Sequence, residues 1–175
     1  VVEAREEHVA LSEAASTDAL TGILNRRGFI SRAQQMLERT ARIGQACALL
    51  YLDLDGFKEI NDNCGHAVGD DILRFVAKTA TACARGSDLV GRIGGDEFVI
   101  LLANCPEPQV RLVTERLQRA IAKRVLKTEG GEGLRLQISV GIAFVKPGEA
   151  GGKAVPLKHL LRDADRQMYA DKRTR

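Results

Sequence analysis

The sequence contains no tryptophan, and aromatic residues make up only 4% of its 175 positions. Binders of single-stranded nucleic acid rely on aromatic faces for base stacking, so this composition argues against a nucleic-acid partner. No apolar run approaches the roughly 20 residues a helix needs to cross a bilayer. The opening Val1-Val2-Glu3-Ala4-Arg5-Glu6-Glu7 lacks the basic start and apolar stretch of a secretory signal. Cysteine is sparse as well. Cys47, Cys64, Cys83 and Cys105 lie far apart and form no CxxC pair, which argues against a zinc site and for free thiols in a reducing, cytoplasmic setting. Cys47 and Cys83 fall within apolar patterns and read as core residues. The three histidines are scattered and offer no triad, and a formal charge of +3 is mild. The chain opens without Met, so we read it as a piece of a longer protein. Residues 1–16 are then a charged linker helix stub, and residues 17–175 form one domain. An upstream sensory domain is expected, with no direct membrane contact by this one.

What is present is periodic. The hydrophobic content of 45% suits a single domain with a sizeable core. Asn25 is a good N-cap, and Phe29, Ala33, Met36, Leu37 and Thr40 mark one helical face ending near Gly44. Ala46 to Leu52 is a continuous apolar run, the pattern of a strand buried on both faces. A second helix is predicted with Asp70 as its cap, Ile72, Leu73, Val76, Ala80 and Cys83 inward, and Gly86 at its end. Leu89–Ile93 and Phe98–Leu102 read as strands around Gly94-Gly95, a pair suited to the positive φ of a tight hairpin. Val110, Val113, Leu117 and Ile121 mark a third helix, and residues 130–133 a glycine-rich loop. Leu134 to Phe144 alternates strictly, as one half-buried strand should. Pro156 opens a last helix with Leu157, Leu160, Leu161, Ala164 and Met168 on one face.

Apart from the first helix, the order is β-α-β-β-α-β. That is a ferredoxin-like α+β fold, an antiparallel sheet with helices and an added helix at each end. In such a unit the third strand lies between the first two. Asp53 and Asp55, closing strand one, therefore sit beside the turn carrying Asp96 and Glu97. Crowded carboxylates are costly unless neutralised. A hard divalent cation, Mg²⁺ or Mn²⁺, serves that purpose, and Mg²⁺ usually works with substrate phosphates. Solvated turn acids would show the same composition.

The stretch Arg92-Ile93-Gly94-Gly95-Asp96-Glu97-Phe98 resembles the signature of the GGDEF family of diguanylate cyclases. Four further segments are similar to family motifs in order and spacing: Asp18 to Arg27, Asp53 to His66, Ser139 to Ala143, and Ala164 to Tyr169. The resemblance implies condensation of two GTP molecules into cyclic di-GMP by a homodimer, with two metal ions per GTP. It matches Asp53 and Asp96, with the Leu54 carbonyl, to metal ligands. Glu97 matches an acid that deprotonates the attacking hydroxyl or holds metal, and the residues do not separate these roles. Gly94 and Gly95 would let the nucleotide approach the backbone. Asn61 and Asp70 match the guanine readers, in a segment that includes Phe57. Lys58 and Lys172 match phosphate-binding lysines, although Lys172 also suits a helix end, where the dipole favours a cation. Asp55 serves either the metal or the turn.

The resemblance further implies an inhibitory product site. Arg85-Gly86-Ser87-Asp88 is an RxxD separated from Gly94 by five residues, and Arg116 matches the additional arginine. Arginine stacks on guanine and forks onto phosphate, while a surface ion pair would look the same in sequence. The end of the chain departs from the family pattern. Asp171 replaces a small residue, and Arg175 stands where glycine is usual. The rival expectation is a catalytically inactive, GGDEF-like module that only senses GTP or cyclic di-GMP.

Overall fold

The computed structural model describes residue 2 and residues 15–127, 133–149 and 151–174. Most of the expected linker stub, residues 128–132 (which include most of the glycine-rich loop), residue 150 and Arg175 lie outside the described residues. Asn25 starts the first helix, α1 (Arg26–Arg42), by accepting the Gly28 backbone N–H on its side-chain oxygen at 2.8 Å. Phe29, Ala33 and Leu37 are buried on its inner face. The following strand, β1 (Cys47–Leu54), is apolar almost throughout because both faces of the sheet are covered. Ala48, Leu50, Leu52 and Leu54 enter one core, and Cys47, Leu49 and Tyr51 enter the other.

Two helices then follow where one was expected. They are α2 (Phe57–Cys64) and α3 (His66–Cys83), joined at Gly65, whose φ of 89° is a conformation that glycine tolerates. Asp70 therefore does not cap a helix, contrary to the sequence reading. Gly65 turns the chain, α3 starts at once, and Asp70 lies inside it without a side-chain cap at the N-terminus. The pattern concealed α2 because Ile60 is its one buried residue.

Beyond α3 come β2 (Leu89–Arg92), β3 (Glu97–Ala103) and α4 (Glu107–Ala122). A small hairpin, β4 (Val125–Lys127) with β5 (Gly133–Arg135), precedes β6 (Ile138–Val145) and α5 (Leu157–Arg173). The alternating run from Leu134 is thus two strands rather than one. At Leu136 the backbone N–H bonds to the Arg124 carbonyl, and the Gln137 carbonyl accepts the Asp55 N–H. Only after that break does the chain pair with β1.

The main sheet has the order β2-β3-β1-β6, antiparallel throughout, with β3 between β2 and β1 as the ferredoxin-like expectation requires. Helices α3 and α4 cover one face, and α1 with α5 covers the other. All four cysteines are free thiols, and Cys47, Cys83 and Cys105 are buried.

Candidate active site

The β1–β3 register sets Asp53 directly opposite Glu97, with Asp96 one residue earlier in the turn. The Leu54 N–H donates to the Asp96 carbonyl at 3.3 Å, so the end of β1 is fastened to that turn. Burial first, and then the hydrogen-bonded, like-charged Asp53, push the Asp96 carboxyl up to about 6. On Asp53 one oxygen, Oδ1, is buried without a hydrogen-bond partner. Its Oδ2 accepts Lys172 Nζ at 2.9 Å. That hydrogen bond raises the Lys172 ammonium above its ordinary value. Lys172 lies in the last turn of α5, as a helix-end cation should, but its partner is a carboxylate of the site.

An unsatisfied carboxylate oxygen beside a second, half-buried carboxyl fits a hard divalent cation. Among the described residues no group of three or more His, Cys, Asp or Glu converges on one position. Such a donor set suits Mg²⁺, which takes one or two carboxylates and completes its shell with water and phosphate. Asp55 is braced against the sheet, its Oδ1 accepting the Ser139 hydroxyl of β6 at 2.7 Å.

Neither Gly94 nor Gly95 adopts the positive φ expected of a tight hairpin. The connection spans Ile93 to Asp96 and closes with the Ile93 N–H on the Glu97 carbonyl at 3.0 Å, so no two-residue turn is required. Gly94 serves a different purpose. A Cβ there would overlap Glu97 Oε2 and lie 3.2 Å from its Cδ, because the Glu97 side chain folds back over this residue. The Cβ direction of Gly95 is open. On the other side of Glu97 stands buried Tyr51, whose phenol is pushed well up by burial and by the Glu97 and Asp165 carboxylates.

The turn is held from outside as well. Arg92 donates through Nε (3.0 Å) and Nη2 (2.8 Å) to the Gly95 carbonyl, and through Nη1 to both Asp18 oxygens at 3.2 Å. Asp18 also accepts the Thr21 hydroxyl and backbone N–H. Burial acts to raise the Asp18 carboxyl, but Thr21 and Arg92 together hold it below the usual range. Asp18 and Arg92 lay within recognised motifs, yet sequence reasoning assigned neither a role.

The expected guanine readers are on neighbouring helices, Asn61 on α2 and Asp70 on α3. Asn61 Oδ1 is buried with no hydrogen-bond partner. Phe57 is partly buried, and Lys58, in the first turn of α2, is exposed.

With this geometry in place, the chain can be compared with known proteins. A family model described as "Diguanylate cyclase, GGDEF domain" matches residues 15–175. The chain belongs to the GGDEF-domain family. Diguanylate cyclase DosC of Escherichia coli (strain K12) is 36% identical over 156 residues, 89% of this chain and 33% of that protein. Diguanylate cyclase DgcP of Pseudomonas aeruginosa is 37% identical over 159 residues, 91% of this chain and 23% of that protein. The chain thus spans a third or less of these relatives. The coiled coil and GGDEF domain of DgcB from Caulobacter crescentus, solved in complex with c-di-GMP, matches with a TM-score of 0.86 at 30% identity. That match covers 99% of this chain and 89% of the other.

A second polar cluster of this GGDEF domain sits at the start of β2, the end remote from Asp96. Asp88, with its side chain 1% exposed, accepts the Arg85 backbone N–H at 2.7 Å and the Ala103 N–H at 3.0 Å. Arg85 donates to the Ala103 carbonyl at 3.0 Å, and its side chain remains 56% exposed. Arg116 of α4 donates to the Cys83 carbonyl at 2.7 Å. Arg116 is thus tied to the last residue of α3, and Arg85 and Asp88 follow directly after that helix. Asp88 is mainly a backbone brace, whereas Arg85 borders an open cavity of about 750 Å³.

Proposed function

We propose that this domain is a working diguanylate cyclase, converting two GTP into cyclic di-GMP and two pyrophosphates. The carboxylate pair Asp53 and Asp96, with Glu97 across the β1–β3 ladder from Asp53, carries this reading. Asp53 and Asp96, with the Leu54 carbonyl, would hold Mg²⁺ or Mn²⁺. When bound, the ions offset phosphate charge and favour loss of the proton from the attacking 3′-hydroxyl. Asn61 and Asp70 orient the guanine, since a carboxylate suits the two N–H donors on that base's pairing edge. Lys58 and Lys172 contact phosphates, and Glu97 receives the hydroxyl proton or joins the metal ligands. Each subunit presents one GTP, so two copies must meet for each 3′-oxygen to attack the other α-phosphorus and expel pyrophosphate. Turnover is favoured over a binding-only module because both acids are present, Glu97 opposite Asp53 and Asp96 in the adjoining turn.

Product bound at Arg85, Asp88 and Arg116 would inhibit without displacing GTP, since that cluster lies at the other end of β2. The domain is expected to act in the cytoplasm under an upstream sensor. Nucleotide selectivity tests the substrate assignment. With Mg²⁺, GTP should give a cyclic dinucleotide and ATP none, and comparable turnover of ATP would remove the guanine roles of Asn61 and Asp70.

A further inference from the structure

Gly69 is a buried residue in the first turns of α3, at a place where the backbone does not call for glycine. Its φ is not positive, and its N–H makes an ordinary helical bond to the Gly65 carbonyl at 3.2 Å. Helix propensity alone would favour alanine in such a position. The reason for glycine lies across the elbow, on α2. A Cβ at Gly69 would overlap Asn61 Oδ1, lie 3.0 Å from Asn61 Cγ and meet the Phe57 ring at 3.4 Å. Asn61 Oδ1 has no hydrogen-bond partner to hold it there. The oxygen occupies the space that a Cβ at Gly69 would take. Asp70, the next residue of α3, takes its own position from the same stretch of backbone.

From this geometry we infer that Gly69 is a specificity-determining position, the seat that sets the Asn61 carboxamide relative to Asp70 and so the fit to guanine. The inference rests on the reading of Asn61 as a base contact. A side chain at 69 pushes the carboxamide off α3, with the Phe57 ring only in ordinary contact, and the two groups that would read the base no longer match one ligand. Gly69 acts through Asn61 and touches no substrate itself.

The test is calorimetric titration of a non-hydrolysable GTP analogue with Mg²⁺ into wild type, Gly69→Ala, Asn61→Ala and the double variant, with a melting curve for each. Gly69→Ala should weaken binding by about 10-fold or more, as should Asn61→Ala, and the double variant should be no weaker than Asn61→Ala, the non-additivity of two changes acting on one group. The double variant, which removes the overlapping carboxamide, should melt at or above wild type because alanine suits the helix better. Wild-type affinity in Gly69→Ala, with Asn61→Ala impaired, overturns the inference and leaves the guanine reading standing. Wild-type affinity in Asn61→Ala removes the guanine reading and the inference with it. If Gly69→Ala unfolds and the double variant does not recover, the obstruction is not Asn61 and the inference fails.

Discussion

Glu97 folds its carboxylate over Gly94 and faces Tyr51 across the strand, so a conservative change at 97 keeps the packing and removes only the charge. Glu97→Gln should leave the melting temperature near wild type and reduce turnover at least ~10²-fold, the scale of deleting one transition-state stabiliser. Steady-state rates beside a melting curve check this, and a near-wild-type rate would place the chemistry elsewhere. Asp96 gives a pH signature. Its folded value of about 6 lies above the ordinary 3.8. Ionising it therefore costs the fold stability as pH rises from about 4 through about 6. A cation recovers that cost only where Asp96 is charged. Stabilisation by Mn²⁺, read as a thermal shift, should be larger at about pH 7.5 than at about pH 5. Equal shifts would mean that Asp96 does not hold the ion. At this scale the acids were legible, because turn residues at fixed offsets from two strands have nowhere else to go. The seat under Asn61 was not legible, since a helical pattern does not reveal which side chain of another helix rests on its glycine.

The segment before α1 is bound to the β2–β3 turn by Asp18, Arg92 and the Gly95 carbonyl, and by Leu24, whose backbone pairs beside Gly91 of β2. The Asp18 and Arg92 side chains are only 21% and 16% exposed. Arg92→Gln leaves a half-buried carboxylate short of its partner, and should cost about 1–3 kcal/mol in urea unfolding. An unchanged midpoint would show that the brace carries no load. Element boundaries were the weakest part of the sequence reading, for physical reasons. Leu136 is buried in the same core as β6, so alternation continues through a point where the backbone changes partner. The polar surface of α2 hid a helix that Gly65 terminates. By contrast, the double-faced run of β1 and the Asn25 cap were read correctly, because each states its burial or its hydrogen bond in residue types.

For the whole molecule, the order β2-β3-β1-β6 is what brings distant acids together, and that order followed from element types alone. It also separates the two polar clusters along β2. Cyclic di-GMP should accordingly inhibit without competing with GTP. Arg85→Ala should raise the inhibition constant about 10-fold or more, the loss of one charged hydrogen-bonding group worth about 1.5–3 kcal/mol. An unchanged constant would make Arg85 an ordinary surface residue. Asp88 is unsuitable for that test, because its carboxylate holds two backbone N–H groups. Under the proposed pairing, in which each subunit contributes half of the reacting pair, specific activity should rise with enzyme concentration. A rate strictly proportional to enzyme, from a monomer by light scattering, would contradict pairing.

The most direct measurement follows GTP and Mg²⁺ incubated with the domain by chromatography of nucleotides and pyrophosphate over time. The account predicts cyclic di-GMP accumulating with two pyrophosphates for each molecule formed, and almost none with Glu97→Gln. GTP that binds and remains unconverted, at concentrations where the domain pairs, would contradict it and mark a binding module instead.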